Sequence, residues 1–255
     1  MCTVTLFRSD DRLLITMNRD ERRTRASESP PRICSGEGGP AWIGPADGEK
    51  GGTWFGANDQ GMIACLLNAY EPGDLALFGR DDVPSRGDII PRLLGFDPDP
   101  ACRWLHSELD PSPYPSFTLI VATVRAGEVV SWRLDRNLDF EPLAAGWSMV
   151  TSSFFQSDQV VPWRHEQFRN WQDDGTEQIE GVPAFNLLEV SGRQEWSPFM
   201  TRSFSMTRSL TQAEVCANDD SVGIRYWRRD GESPIEPAHP TETTRLPMCL
   251  TGDGQ

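Results

Sequence analysis

The chain has 255 residues, enough to bury a substantial core in one large domain and lean for two independent ones. Its 38 acidic against 24 basic residues leave a formal charge of -14, which argues against non-specific association with nucleic acid or an anionic membrane, since both favour clustered cations. Lysine is nearly absent, so the positive charge is mostly arginine. No apolar run approaches the roughly 18 residues of a membrane span, and the amino end lacks a basic segment followed by a secretory apolar core, so a cytoplasmic protein without a membrane span is expected. The six cysteines form no CxxC pair, against a zinc ribbon or a disulfide scaffold, and the three histidines, His106, His165 and His239, are far apart in the chain. No metal and no cofactor are expected.

The first elements predicted are two strands. Cys2-Thr3-Val4-Thr5-Leu6-Phe7 and Leu13-Leu14-Ile15-Thr16-Met17 are rich in β-branched and apolar residues, and the polar cluster Ser9-Asp10-Asp11-Arg12 between them predicts a tight turn. With the turn centred on Asp10-Asp11, facing residue numbers sum to a constant, so Phe7 faces Leu14, Thr5 faces Thr16 and Cys2 faces Arg19. Facing side chains sit roughly 5 Å apart at Cβ. Alternation puts Val4, Leu6, Ile15 and Met17 on the face of Cys2 and Arg19. Glu21 shares that face and Asp20 does not, unless a bulge reverses the choice.

A small residue after the initiator methionine generally permits its removal, which would leave Cys2 as the amino terminus. The freed α-amine, with a pKa of roughly 7.7 to 8.0, can accept the proton of a thiol of about 8.5 as the sulfur attacks a carbonyl. Arg19 would favour the thiolate. The alternative for these two residues is an ordinary strand cysteine and an arginine paired with a nearby acid.

From Arg22 to Pro40 the Arg, Ser, Pro and Gly content predicts a loop, with Pro30-Pro31 and Gly38-Gly39-Pro40 excluding regular structure. Arg22, Arg23, Arg25 and Arg32 either close over an anionic ligand or offset local acids. Trp42-Ile43-Gly44 and Gly51 to Gly56 read as strand pieces, and Asn58 to Gly61 as a turn into a strand over Met62 to Leu67, with Asn68 at its end. Ser85 and Asp88 are spaced like a capping box before a short helix carrying Ile89, Ile90, Leu93 and Leu94, and Asp99-Pro100 begins another carrying Ala101, Cys102, Leu105 and Leu109. A hairpin follows over Phe117 to Val124 and Val129 to Leu134, then a strand near Trp147 to Thr151, a helix over Val160 to Trp171 and a shorter one over Pro183 to Val190. Strands over Ser203 to Val215 and Val222 to Trp227 close the pattern. A domain over residues 1-230 and an irregular Pro-rich tail over 231-255 are the expected organisation.

The run MCTVTLF, then MNRDE, GGTWFGAN at Gly51 to Asn58, LLNAY at Leu66 to Tyr70 and SRGD at Ser85 to Asp88 resembles the NRDE family, which includes the transport and Golgi organisation type of protein. That family resembles the N-terminal nucleophile hydrolases with cysteine at the mature end, and the resemblance implies an α+β fold, a four-layer αββα sandwich of antiparallel sheets. The order of predicted strands and helices suits it. What it implies for the site is Cys2 as nucleophile, Arg19 positioning substrate, Asp20 or Glu21 orienting the amine or Arg19, and Asn68 as oxyanion donor. Asn18, Thr53, Trp54, Ser152 and Ser153 are the candidates to contact substrate. Related amidases carry a second asparagine where this chain reads Thr151-Ser152-Ser153, and losing one oxyanion donor costs about 3 kcal/mol of transition-state stabilisation. The implied activity is hydrolysis or acyl transfer at an amide or thioester of an amphipathic small molecule. The alternative is a non-enzymatic carrier of haem, acyl-coenzyme A or a similar acid.

Overall fold

The structure, a computed structural model, describes residues 2–35, 38–77, 80, 82–134, 136–175 and 180–249. Met1 lies outside them, and so does the expectation that it is removed. Two strands, β1 (Cys2–Arg8) and β2 (Arg12–Arg22), form the predicted hairpin, closed by the Ser9 amide donating to the Arg12 carbonyl at 2.8 Å. Its register is the expected one, Cys2 against Arg19, Thr5 against Thr16 and Phe7 against Leu14. The polar turn sets this register, and a slip by one residue would exchange the apolar face between the sheets with the buried polar face of Thr3, Thr5, Thr16 and Asn18.

The remaining strands are β3 (Ser29–Ser35), β4 (Ala41–Ala46), β5 (Phe55–Asn58), β6 (Ile63–Asn68), β7 (Phe117–Ala122), β8 (Gly127–Trp132), β9 (Asp139–Pro142), β10 (Gly146–Ser152), β11 (Ser205–Cys216), β12 (Ser221–Arg228) and β13 (Glu242–Pro247). They make a six-stranded sheet ordered β10-β1-β2-β11-β12-β13 and a seven-stranded sheet ordered β3-β4-β5-β6-β7-β8-β9, with every pairing antiparallel. Between the sheets lie Val4, Leu6, Ile15 and Met17 from the hairpin against Phe55, Ile63, Cys65 and Ile120, all fully buried. Each such side chain contributes about 1.5–3 kcal/mol by leaving water.

Helices α1 (Ile89–Leu94) and α2 (Pro98–Ser107) cover the outer face of the seven-stranded sheet, burying Ile89, Ile90, Leu93, Trp104 and Leu105 on Leu66, Phe117 and Leu119. Pro91 sits in the first turn of α1, where its missing N–H costs no helix bond. Helix α3 (Ser157–Asp173) lies against β10 and buries Phe168 and Trp171 on Phe185 and Met149. The result is the expected αββα layering.

Three expectations are corrected, and each concerns a sheet edge. The segment read as a loop contains β3, whose Pro30-Pro31 is accommodated because β3 is the outermost strand and the pairing with β4 shifts register between Ser29 and Arg32. The tail expected to be irregular contributes β13, paired with β12 from Ser221 against Pro247 to Tyr226 against Glu242. The short polar strand β9, at the far edge of the seven-stranded sheet, has no counterpart in the expected elements.

Candidate active site

The open end of the hairpin faces a cleft of about 670 Å³. Cys2 is the first residue of β1 and is flanked by Arg19 on β2 and Ser152 on β10. Because it shares a face with Val4 and Met17, its thiol stands where the inter-sheet core gives way to the cleft. Arg19, Asp20, Glu21, Thr53, Trp54 and Asn68 line the same cleft.

Arg19 is almost entirely buried, and its guanidinium is fully engaged. Nη2 lies 2.8 Å from Asp47 and Nη1 3.3 Å from Glu28, Glu21 is 3.7 Å away, and the Trp54 ring lies 4.2 Å beneath Cζ. Arg25 donates to both oxygens of Asp47 at 2.8 Å and also faces Glu21 and Glu49. Burial pushes the Asp47 carboxyl up, but hydrogen bonds from Arg25 and the Lys50 amide, with the charges of Arg25 and Arg19, outweigh it and bring it to about 2. Glu28 is likewise held below its ordinary range, the charges of Arg19 and Arg208 and local hydrogen bonds overcoming its burial. The loop arginines are therefore committed to carboxylates: Arg22 to Glu21 and Glu49, and Arg23 to Glu232, while Arg32 is exposed on β3.

Asp20 points to the other side of β2. It is 3% exposed, accepts the Thr207 hydroxyl at 2.6 Å and lies 3.9 Å from Arg164, a fully buried guanidinium on α3. Burial raises the Asp20 carboxyl above its ordinary value against the pull of Arg164. Burial raises the Cys2 thiol too, and the Asp20 charge adds to the rise, while Arg19 pulls weakly downward. Arg19 thus acts in the expected direction, favouring the thiolate, but desolvation outweighs a guanidinium already neutralised by acids, so the thiol is raised on balance. The bulge that could alter the choice between the two carboxylates occurs in β11, between Thr207 and Ser209, opposite Arg19 and Asp20. Glu21 keeps the Cys2 face and is taken up by arginines, whereas Asp20 is the carboxylate to which the thiol is electrostatically coupled.

Asn68, at the end of β6, lines the cleft with its amide donating to the Tyr70 hydroxyl at 3.5 Å, a long bond that a ligand oxygen could replace. Ser152 stands directly across from Cys2, and its hydroxyl is buried with no partner among the described residues. Ser153 turns away, donating to the Phe155 carbonyl at 2.6 Å and accepting from Arg202. The Thr53 hydroxyl donates to the Phe55 carbonyl at 2.8 Å, so it shapes the wall. Asn18 is fully buried on the Asp20 side, donating to the Asn186 and Pro198 carbonyls at 2.8 and 2.9 Å. Strand alternation separates it from Arg19, and it lies deeper along that face than Asp20, outside the cleft lining.

Arg164 and Arg202 escaped the sequence reading. In the sequence Arg164 is one more polar residue on a helix, yet it donates to Thr3, Thr151 and the Trp196 and Ser197 carbonyls at 2.9, 3.0, 2.7 and 2.9 Å, tying α3 to the strand behind Cys2. Outside the cleft lining, ligand atoms of Cys102, His106 and Glu128 lie within 4.8 Å of one another. Such a set could hold a divalent ion, although His106 and Glu128 already bond each other at 2.9 Å. Spacing alone could not reveal it, since Glu128 comes from β8 and the other two from α2.

Two solved structures share this architecture. An N-acylethanolamine-hydrolyzing acid amidase ortholog from Caenorhabditis elegans matches 83% of this chain and 92% of its own with a TM-score of 0.52 at 11% identity. Penicillin V acylase from Agrobacterium tumefaciens matches 97% of this chain and 86% of its own, with a TM-score of 0.50 at 12% identity. At such identity the likeness concerns the fold, that of the N-terminal nucleophile hydrolases. Among curated proteins, the Transport and Golgi organization protein 2 homolog of Bos taurus is 28% identical over 163 residues, 60% of this chain and 53% of that protein. The Homo sapiens homolog is 25% identical over 197 residues, 72% of this chain and 66% of its own length. The matches thus span about half to two thirds of these relatives. The model of the Transport and Golgi organisation 2 family matches residues 1–211, and the chain belongs to that family.

Proposed function

We propose that the cleft cleaves or transfers an acyl group from an amide or thioester of an amphipathic small molecule, with Cys2 as the nucleophile. The observation that carries this reading is the placement of the Cys2 thiol at the end of β1, open to the cleft and coupled to the buried Asp20 carboxylate. The two fold relatives are, by name, a hydrolase of N-acylethanolamines and an acylase.

Since burial keeps Cys2 as a thiol at rest, its proton must leave as the sulfur attacks, and the α-amine freed by removal of Met1 is the acceptor within the same residue. The amine is neutral before the step, and Asp20 stabilises the ammonium formed as it takes the proton. The carbonyl oxygen gathers negative charge beside the Asn68 amide and the Ser152 hydroxyl. The amine returns the proton to the departing nitrogen or sulfur, leaving the acyl group on Cys2. Water then attacks the thioester, releasing the acid and restoring the thiol.

A second reading, carriage of haem, acyl-coenzyme A or a similar amphipathic acid, is favoured by Phe154 and Phe204, which line the cleft and are 54% and 49% exposed. Apolar area of this kind on a cleft wall fits an apolar ligand in either reading. Mass spectrometry separates the two. Catalysis predicts a chain lacking Met1 and an acyl adduct on the Cys2 peptide, absent in Cys2→Ala. Retained Met1, no adduct and ligand affinity unchanged in Cys2→Ser would establish carriage instead.

A further inference from the structure

The cleft wall carries several arginines, and Arg19, Arg22, Arg25 and Arg80 each pair with a carboxylate. Arg86 is different. Among the described residues no carboxylate pairs with its guanidinium, whose Nη1 donates to the Ser116 carbonyl at 2.7 Å. The remaining donors of its planar fork are available on a half-buried wall.

The position of Arg86 is fixed with unusual care for a loop residue. It begins the 3-10 turn Arg86–Asp88, which Ser85 caps by accepting the Gly87 amide at 3.2 Å. The Gly87 carbonyl accepts the Thr53 amide at 3.0 Å, and Gly52 packs so closely that a Cβ there would fall 2.7 Å from the Gly87 carbonyl carbon. This close approach explains Gly52 of GGTW and Gly87 of SRGD. Behind Arg86, the Ser116 amide donates to the buried Asp74 carboxylate at 2.8 Å, so a negative charge sits one layer back rather than in contact with the guanidinium. Desolvation pulls the Arg86 guanidinium downward, with Tyr70, Asp74, Cys2 and Glu21 opposing. A neutral donor would serve the Ser116 carbonyl equally well. A partly desolvated cation without an ion pair, in a chain of charge -14, calls for an anion from outside.

We propose that Arg86 is the anion-binding residue of the cleft, holding a carboxylate or phosphate on the group that leaves when the acyl chain is taken by Cys2. The acyl part packs on the aromatic wall, and the charged part lies against Arg86, which lines the same cleft as Cys2. The site therefore selects N-acyl amino acids or phosphate-bearing thioesters over neutral acyl amides. The role in turnover rests on the acyl-transfer reading, whereas the binding preference does not.

The test uses the full chain with Cys2→Ala, so that binding is read without turnover. Calorimetry compares an N-acylglycine with its N-acylglycinamide, and an acyl-coenzyme A with the corresponding S-acyl-N-acetylcysteamine. The charged member of at least one pair should bind about tenfold to hundredfold tighter, as charge-assisted bonds to guanidinium do. The pair showing the preference tells carboxylate from phosphate. Arg86→Gln should abolish the preference and Arg86→Lys should restore part of it, with melting temperatures verifying the fold. Equal affinity for charged and neutral members would overturn the proposal without need of any Arg86 variant, as would a preference that survives Arg86→Gln. Turnover of both members at equal rates by wild type would overturn it while sustaining the acyl-transfer reading. A charge preference without turnover would do the reverse.

Discussion

Four consecutive residues, Asn18 to Glu21, serve two networks that differ in almost every electrostatic respect. On the cleft face, Arg19 and Glu21 join Arg25, Glu28 and Asp47 in a cluster with contacts of 2.8 Å and some access to water. On the α3 face, Asn18 and Asp20 join Arg164, Thr207 and Asn186, fully enclosed, with the guanidinium 3.9 Å from the carboxylate. In the first, two-point bonding from Arg25 beats desolvation and holds Asp47 at about 2. In the second, desolvation beats a longer ion pair and raises Asp20. The lesson is that the number of short hydrogen bonds to a carboxylate decides its proton affinity more than the presence of an arginine. Only the enclosed carboxylate is tuned toward a proton, and it is the one coupled to Cys2.

The comparison breaks most visibly at Arg164. Replacing Arg164 by Met should destabilise the chain by about 3–5 kcal/mol in urea titrations, because it takes from the buried Asp20 the strongest of its opposing charges. A change near zero would mean that Asp20 is neutral in the native protein. Asp47→Asn should cost less, about 2 kcal/mol at pH 7, following from a carboxyl lowered from 3.8 to about 2. The sign is that of a depressed acid: this stability is complete above about pH 4 and disappears as pH falls through about 2. The variant should therefore show a flatter loss of stability between those values, and an unchanged acid limb would refute the role given to Asp47.

Cys2 reports on the enclosed network. Removing the charge in Asp20→Asn should lower the thiol pKa and speed iodoacetamide alkylation of Cys2 at neutral pH several-fold, with the rate profile moving to lower pH. Glu21→Gln should leave that profile in place; identical profiles for both variants would show that neither carboxylate acts on the sulfur. The smallest effect belongs to Arg22, whose side chain is 62% exposed with ion pairs at 3.7 and 3.9 Å. Arg22→Ala should change stability by no more than about 0.5 kcal/mol, measurable as a shift in urea midpoint.

The register that sets Cys2 against Arg19 needed only a polar turn between two apolar strands, since period-two alternation propagates from the turn to the far end of the hairpin. The αββα order was legible for the same reason, as central strands and the packed faces of α1, α2 and α3 carry apolar periodicity. The strands missed in sequence, β3, β9 and β13, are edges, where Pro30, Pro31, Glu141 and Glu242 are tolerated because one side of the backbone has no partner. No periodic signal marks such segments.

Alternation along two short strands was enough to show which side chains of β1 and β2 share a face, and that a thiol, a guanidinium and a carboxylate converge at the hairpin's end. Their pairing and charge environment come instead from contacts distant in sequence. Arg19 is neutralised by Glu28 and Asp47, which reach it from outside the hairpin, Asp20 is enclosed by Arg164 from a helix far along the chain, and Arg86 is left without an ion pair among the described residues. Charge state depends on burial and on partners distant in sequence, and neither quantity has a local pattern to read.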